Sequence, residues 1–333
     1  LYFIVSFILK RSLDYFRDNA LLDIPSKRSN HSTPIPKGAG LILIPLLIFA
    51  TLLVFFLEKI LNYHWFIIFG FCLILTLLSF LDDLKNISSK IRLTFQIFCV
   101  FSTLIIFKED IGLFIEVEEI NFFFENEEKD SLTLLFLIIF GFFWVWIVNM
   151  FNFMDGMDGI TVVQVSSLAL CSNILAITGF IDQNFLYFSL VILATFIAFY
   201  SVNRPPAKIF LGDVGSIPIG FLSGFVVIYN IIHSQIIFPF LIIIMYYLVD
   251  SISTISIRLF KGENIFRAHS DHFYQKVIRK GYSHSYVLNK ILGLNFLLLF
   301  LSIASIYWPL ISTVLAFLFT TILLGIFNFK KSK

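Results

Sequence analysis

The sequence predicts an all-α protein that crosses a membrane many times. Of its 333 residues, 58% are hydrophobic and only 14% are charged, whereas soluble domains average about 45–50% apolar and about 25% charged residues. The mean hydropathy is +0.91, and the apolar residues form long runs without an internal repeat. A net charge of only +2 argues against nucleic acid as a partner. Residues 1–333 are expected to form a single transmembrane domain.

Eleven apolar runs are predicted to form the membrane-spanning helices of this domain. A helix needs roughly 20 residues to cross about 30 Å of hydrocarbon. The first run, residues 1–9, is too short, so we expect a first helix that is short or truncated, or whose start is assigned wrongly. The other runs are 41–57, 64–81, 91–107, 132–148, 160–178, 184–200, 214–232, 236–257, 291–306 and 308–327.

The distribution of basic residues predicts the orientation. Eleven spans place successive loops on alternating sides, and 21 of the 24 Lys and Arg residues then fall on one side. Because short basic loops stay in the cytoplasm, the N-terminus is expected outside and the C-terminus in the cytoplasm. The cytoplasmic loops are 10–40, 82–92, 149–159, 201–213 and 258–290, and we expect them to form the active site. Loop 108–130 is acidic and is expected to be external and solvated.

Two adjacent carboxylates, Asp82 and Asp83, follow one of these runs directly. Charge at a membrane edge is costly, which makes such residues candidates for function. Neighbouring residues on a helix point about 100° apart, so one can face a site while the other faces water or a partner cation. The alternative is an ordinary helix end that leads into a charged loop.

Four polar residues recur at every third position between two apolar runs: Asn149, Asn152, Asp155 and Asp158. In an α-helix this spacing drifts about 60° per step, so the four would cover half of the circumference. A 3₁₀ turn would align them better, and the glycine after each aspartate favours a break here. A repeated Asp-Gly pair at a membrane edge is hard to explain by packing, which indicates a functional site.

A third candidate is the segment Gly212-Asp213-Val-Gly-Ser216. Backbone N–H groups of such a turn can approach an anion while the aspartate reaches a cation. The alternative for Asp213 is a simple helix N-cap.

The longest cytoplasmic loop contains His269 and His272, three residues apart. They could bind zinc, but no third ligand of zinc type lies nearby and the surrounding basic residues repel a cation. Hydrogen bonding to phosphate suits histidines beside Arg267 better. Asp250 lies near the end of its span, and its role is open between structural pairing and function.

Together these segments provide several carboxylates, basic residues and glycine-rich turns. Hard oxygen ligands suit Mg²⁺, which typically uses one or two carboxylates together with substrate phosphates. The residues therefore indicate phosphoryl transfer that involves a nucleotide diphosphate on the cytoplasmic side.

The chain resembles the polyprenyl-phosphate N-acetylhexosamine-1-phosphate transferases of glycosyl transferase family 4, which include the peptidoglycan translocase. The resemblance rests on five motifs in family order, from Asp23-Ile-Pro25 and Arg28–Gly40 through Leu81–Asp83, Asn152–Gly159, Phe210–Ser216 and Arg267–His272. The His-x-x-His form is most similar to the branch that initiates O-antigen and common-antigen synthesis. Ala39 stands where this branch usually has a third glycine.

The resemblance implies transfer of N-acetylhexosamine 1-phosphate from a UDP-sugar to undecaprenyl phosphate, with UMP released. It implies a bacterial cytoplasmic membrane, an Mg²⁺ cofactor with Mn²⁺ as a substitute, and an oligomeric state open between monomer and homodimer. It leaves the N-acetylhexosamine unspecified. An alternative from another class is a transporter of an anionic metabolite, although the motifs lie at one face rather than at the midplane that transporters use.

Carried over by position, the resemblance implies roles for individual residues. Asp213 would be the principal Mg²⁺ ligand with Asn152 beside it, and Asp82 would lie by the lipid phosphate. The residues assigned to catalysis are Asp82, Asp83, Asp155 and Asp158. The residues assigned to substrate binding are His31, Lys37, Asn149, Asn152, Arg267, His269 and His272.

The acceptor phosphate predicts a limited need for a general base. Its second pKa is about 6, so near neutral pH it is mostly dianionic. We therefore expect Asp82 to act through positioning more than through proton abstraction. Direct transfer and a covalent phospho-aspartyl intermediate both remain open.

Overall fold

The computed structural model describes residues 1–18, 22–23, 34–85, 87–116, 128–264 and 269–330, and helices dominate these residues. The predicted all-α, polytopic class is confirmed. The helices are α1 (Tyr2–Asp18), α2 (Gly40–Leu57), α3 (Tyr63–Lys85), α4 (Ser89–Ile106), α5 (Lys108–Ile115), α6 (Lys129–Met154), α7 (Ile160–Ile177), α8 (Asn184–Asn203), α9 (Asp213–Ser234), α10 (Phe238–Ile243), α11 (Met245–Phe260), α12 (Phe273–Arg279), α13 (His284–Ala304) and α14 (Pro309–Phe329). Two short strands, β1 (Leu22–Asp23) and β2 (Ile35–Pro36), pair antiparallel.

Within the described residues, nine helices are long and apolar enough to cross a membrane. They are α2, α3, α4, α6, α7, α8, α9, α13 and α14. Two of the eleven predicted spans are not among these nine. The first, expected to be short, is helix α1 of 17 residues. The run predicted at 236–257 is corrected, because it is interrupted at Ile244, which separates α10 from α11.

A side chain from another helix supports the interruption at Ile244. The buried amide of Gln164 on α7 donates a hydrogen bond to the carbonyl oxygen of Ile243 at 2.9 Å. A broken helix in an apolar environment frees backbone groups that need partners, and a neighbouring polar side chain provides one. Hydropathy along the chain cannot show such a break, because every residue around it is apolar.

Helix α9 forms the centre of the bundle. Of its apolar 18-residue stretch, 94% is buried, compared with 28% for α4 and 33% for α14. It packs mainly against α6, α3 and α2. Asp213, the residue that begins α9, is therefore held by the most buried of the nine long helices that the structure describes.

Two glycines allow α9 to approach α6 closely. A Cβ atom at Gly224 would lie 2.2 Å from the Trp144 ring, and one at Gly220 would lie 2.9 Å from the Val148 carbonyl oxygen. The Trp144 indole N–H donates to the carbonyl oxygen of Phe221 at 2.9 Å. Small residues four positions apart are a common solution for close helix packing in membranes. This packing places the C-terminal end of α6 beside the N-terminal end of α9.

Candidate active site

The turn that carries Asp213 is fixed by backbone hydrogen bonds to a distant segment. The N–H groups of residues 38–40 donate to the carbonyl oxygens of Phe210 and Leu211 at 3.0–3.1 Å, and the Phe210 N–H donates back to Pro36 at 2.8 Å. Gly212 has φ +74°, a left-handed conformation that favours glycine. The glycine-rich segment near residue 40 and the Asp213 turn therefore form one rigid unit.

The close approach in this unit explains its glycines and its alanine. A Cβ atom on Gly40 would lie 2.3 Å from the Cα atom of Gly215, so only glycine fits there. Ala39 is fully buried, and its N–H donates to the Phe210 carbonyl oxygen at 3.0 Å. The methyl group of Ala39 is thus accommodated where the resembling branch usually has glycine.

A network of charged side chains joins three of the predicted motifs. The Lys37 ammonium lies 2.6 Å from Asp83, while one nitrogen of Arg92 lies 2.7 Å from Asp82 and 2.9 Å from Asp213. Partial burial acts to lower the pKa of Lys37, but the hydrogen bond and charge of Asp83 outweigh it and raise that pKa above its usual value. Asp82 and Asp213 therefore face the same cation.

Arg92 is the site residue that sequence reasoning missed. Its place in the predicted loop 82–92 indicates an ordinary basic loop residue, yet it lies on α4 and contacts Asp82 and Asp213. The sequence contains a usable signal, because Arg92 and Gln96 are four residues apart and therefore share one face of a largely apolar helix. Gln96 is buried, and its side-chain oxygen accepts from Asn149 at 2.8 Å.

The two asparagines lie on α6 and contact different neighbours. Asn149 donates to Gln96 and to the Val145 carbonyl oxygen, both at 2.8 Å, so it links α6 to α4. Asn152 donates to the Ser216 hydroxyl at 2.9 Å, so it links α6 to the start of α9. The predicted break after these residues is confirmed, but the predicted 3₁₀ turn is wrong, because α6 stays α-helical to Met154.

Asp155 ends α6 and lies within the electrostatic reach of Asp213. The Thr161 hydroxyl donates to its carboxyl group at 2.5 Å. Burial raises the pKa of Asp155 to about 8, and the negative charge of Asp213 adds to this effect against the opposing Thr161 hydrogen bond. Asp155 therefore carries a proton at pH 7.

Asp158 is held by a separate set of partners. Its carboxylate accepts from the Ala207 N–H at 3.0 Å and lies 3.1 Å from Nδ1 of His284. The next residue, Gly159, donates its N–H to Asn203 at 2.9 Å. The structure thus places Asp158 where it joins the ends of α8 and α13 to the loop between α6 and α7.

The two predicted histidines lie together beside α11. Their ring centroids are 5.3 Å apart, and Nδ1 of His272 lies 2.9 Å from the Asp250 carboxylate. Burial lowers the pKa of His269 to about 4, helped by the nearby positive charges of His272 and Arg258. His269 is therefore neutral at pH 7. Arg267 and His31, both predicted to bind substrate, lie outside the described residues.

Tyr274 connects the histidine segment to the Asp155 turn. Its hydroxyl donates to the Phe153 carbonyl oxygen at 3.2 Å and accepts from the Gly156 N–H at 3.1 Å. A Cβ atom at Gly156 would lie 2.3 Å from that hydroxyl oxygen. The glycine therefore lets the two segments meet, and His272, Asp155 and Asp213 belong to one end of the bundle.

The donor set around Asp213 fits a hard divalent cation. Across the part of the chain that the structure describes, no three His, Cys, Asp or Glu side chains are grouped to hold a metal ion by themselves. Mg²⁺ needs no such cage, since it usually takes one or two carboxylates and completes its shell with water and phosphate oxygens. The Asp213 side chain is 40% exposed, and the single positive charge of Arg92 leaves one net negative charge on Asp82 and Asp213, which favours a further cation.

A comparison with protein families identifies the family of the chain. The model of "Glycosyl transferase family 4" matches residues 65–231, half of the chain. The chain belongs to glycosyl transferase family 4. The family match contains Asp82, Asp155 and Asp213, whereas Lys37 and His272 lie outside it and are brought to the same end of the bundle by the fold.

Individual members of family 4 resemble the chain over its middle part. It is 30% identical to the undecaprenyl-phosphate alpha-N-acetylglucosaminyl 1-phosphate transferase of Thermotoga maritima over 220 residues, which cover 65% of the chain and 60% of that relative. It is 28% identical to the phospho-N-acetylmuramoyl-pentapeptide-transferase of Streptococcus pneumoniae over 208 residues, 60% of each protein. The chain thus spans about 60% of the length of these curated relatives.

Proposed function

We propose that this family 4 protein transfers an N-acetylhexosamine 1-phosphate group from a UDP-sugar to undecaprenyl phosphate. The observation that carries the proposal is the shared contact of Asp82 and Asp213 with one nitrogen of Arg92. It joins the residue proposed for the lipid phosphate to the residue proposed for the metal. The similarity to a relative named as an undecaprenyl-phosphate N-acetylglucosaminyl 1-phosphate transferase supports the same substrate class.

In the proposed reaction, an oxygen of the lipid phosphate attacks the phosphorus that bears the sugar. The bond from that phosphorus to UMP breaks, and UMP leaves with the electron pair. Because the lipid phosphate is already mostly dianionic near pH 7, Asp82 is proposed to orient it rather than to remove a proton. Asp83 pairs with Lys37 at 2.6 Å and is proposed to position the segment that precedes α2.

Charge repulsion between the two anionic substrates is the larger obstacle. Asp213 and Asn152 would hold Mg²⁺, or Mn²⁺ in its place, and the bound ion would withdraw negative charge from the diphosphate. Arg92 supplies a positive charge at the same place, and fixed cations of this kind stabilise charge on a departing phosphate. Before an ion binds, burial raises the pKa of Asp155 to about 8, so at pH 7 this residue adds no further negative charge there.

The two histidines are proposed to contact the donor in different ways. His269 is neutral at pH 7, because its pKa is lowered to about 4, so it can accept a hydrogen bond from a sugar hydroxyl. His272 directs Nδ1 to Asp250, and its Nε2 is proposed to donate to the diphosphate when both ring nitrogens carry a proton. Arg267 remains a proposed diphosphate ligand from sequence alone.

The biological role proposed is initiation of a cell-surface glycan, such as O-antigen, at the cytoplasmic face of a bacterial inner membrane. The support is the clustering of basic residues in the loops that carry the motifs, together with the cytoplasmic location of UDP-sugars. A transporter gains no support from the comparisons, since the relatives described above are named as transferases.

The test is release of UMP by the purified protein in detergent. The full chain would be incubated with Mg²⁺, undecaprenyl phosphate and, in turn, UDP-GlcNAc, UDP-GalNAc and UDP sugars of the dideoxy class. We expect UMP with at least one donor, only when the lipid is present. UMP formed without lipid, in an amount equal to the enzyme, would indicate the covalent route. No lipid-linked sugar from any donor would overturn the proposal.

A further inference from the structure

One face of α11 carries a row of polar side chains inside the protein. Asp250, Thr254 and Arg258 follow one another at intervals of four residues, so they lie along one side of the helix with a drift of about 40° per step. All three are buried, with 0%, 1% and 7% of their surface exposed. Buried polar side chains need hydrogen-bond or ionic partners. The partners of these three residues indicate their role.

Asp250 is bound to the histidine segment. One carboxylate oxygen lies 2.9 Å from Nδ1 of His272 and accepts the Phe273 N–H at 3.3 Å and the Thr254 hydroxyl at 3.2 Å. The other oxygen has no hydrogen-bond partner among the residues the structure describes. A carboxylate can only accept, so the contact requires a proton on Nδ1 of His272. Nε2 is then the ring atom left to meet a ligand.

Arg258, two turns later, holds the residues that precede His272. Its guanidinium group pairs with Asp271 and with Glu263 at 2.8 Å, and it donates to the Asn264 carbonyl oxygen at 3.0 Å. The loop that carries the histidines is thus attached to α11 at both of its described ends. One rigid helix defines where the loop lies and how the ring of His272 is turned.

We propose that Asp250 is a positioning residue of the transferase, which fixes the orientation and protonation pattern of His272, while Arg258 anchors the loop. The inference rests on the proposed transfer reaction. Stability alone is a weak explanation for this arrangement, because a buried ion pair rarely contributes more than apolar packing of the same volume. A functional histidine, in contrast, commonly depends on the group that holds its other nitrogen.

The first test is a set of turnover measurements. Asp250→Asn should lower kcat about 10- to 100-fold, the loss typical when the outer partner of a functional histidine is changed, with little change in the KM for undecaprenyl phosphate. Thr254→Val is the matched control, since it removes a donor to the same carboxylate without touching His272, and it should stay within about threefold of the wild type. In a His272→Ala background, Asp250→Asn should cause no further loss, because the two residues act as one unit.

The second test reads the imidazole itself and does not depend on turnover. Nitrogen NMR of the six histidines, with His272 assigned by the signal lost in His272→Gln, should show Nδ1 protonated in the wild type. Asp250→Asn should convert that signal to a mixture of forms, whereas Thr254→Val should leave it unchanged.

Three outcomes would overturn the inference: an Asp250→Asn spectrum identical to that of the wild type, independent and additive losses in the double variant, or equal losses for Asp250→Asn and Thr254→Val. A wild-type chain that releases no UMP would instead overturn the proposed function, and the NMR result would still decide whether Asp250 controls His272.

Discussion

Replacing Arg92 with methionine removes the positive charge that joins Asp82 to Asp213 and keeps most of the length of the side chain. The structure indicates two separate effects, one on folding and one on turnover. The first changes the free energy of unfolding and the second changes kcat, so the two can be measured independently.

The effect on folding should be modest. Arg92, Asp82 and Asp213 have 28%, 15% and 40% of their side chains exposed, so solvent screens the pairs in part. Exposed pairs contribute about 0–1 kcal/mol, whereas breaking a buried pair costs about 3–5 kcal/mol. After that screening, we expect a loss of about 1–2 kcal/mol in the free energy of unfolding.

The effect on turnover should be larger. In the proposed reaction, loss of Arg92 would leave two carboxylates beside the substrate phosphates and would remove a cation that stabilises the departing charge. Loss of one such group typically lowers kcat about 10²- to 10³-fold, or about 2.7–4 kcal/mol. Arg92→Met should therefore be nearly inactive while most of the protein is still folded.

The assay compares UMP release at saturating substrates with thermal unfolding followed by tryptophan fluorescence. Lys90→Met is the matched control, because Lys90 lies two residues away on α4 and is exposed. It should retain wild-type turnover. If Arg92→Met keeps more than about a third of the wild-type rate, or if Lys90→Met loses as much, the reasoning about the shared contact is refuted.

Three further predictions concern the same end of the bundle. Asp213→Asn should abolish turnover at any Mg²⁺ concentration without changing the melting temperature by more than a few degrees; near-normal transfer at saturating Mg²⁺ would exclude the metal assignment. Asp155 keeps its proton up to about pH 8 in the folded protein but loses it near pH 4 in the unfolded chain, so the free energy of unfolding should fall by up to about 1.4 kcal/mol per pH unit between these values. In melting curves recorded without Mg²⁺ at several pH values, Asp155→Asn should lose this pH dependence of the melting temperature. A pH dependence equal to that of the wild type would contradict the protonated state. Gly40→Ala would place a Cβ atom 2.3 Å from Gly215, so it should destabilise the protein by about 1–3 kcal/mol and reduce transfer. Gly70→Ala is the control, because a Cβ atom there has nothing within 4 Å, and it should change neither stability nor transfer. Equal melting temperatures for both variants would contradict the close approach.

The sequence was sufficient for the features that depend on local composition. Apolar runs identified the helices, since length and hydropathy are properties of each segment alone. Polar residues at the edges of the runs identified Asp82, Asn152 and Asp213, and the structure brings these three around one cation and one hydroxyl. Their roles in catalysis remain predictions.

The features that sequence reasoning missed depend on contacts between distant segments. The sequence does not distinguish Arg92 from other basic residues, because a basic residue near a helix end has an ordinary explanation in the positive-inside rule. The partner of Asp158, His284, lies on another helix far along the chain. The neutral state of His269 arises from burial and neighbouring charges, which no local pattern reveals.

The backbone hydrogen bonds between residues 38–40 and residues 210–211 impose an order on biosynthesis. The first of these segments leaves the ribosome early, but its partners exist only after residues 41–209 have been translated, which takes roughly 10–30 s at about 5–20 residues per second. During that interval the N–H groups of residues 38–40 need water, so the nascent segment must stay at the membrane surface. The histidine segment arrives later still. A chain interrupted before residue 210 therefore contains Asp82 and Asp155 but lacks Asp213 and the backbone partners of residues 38–40.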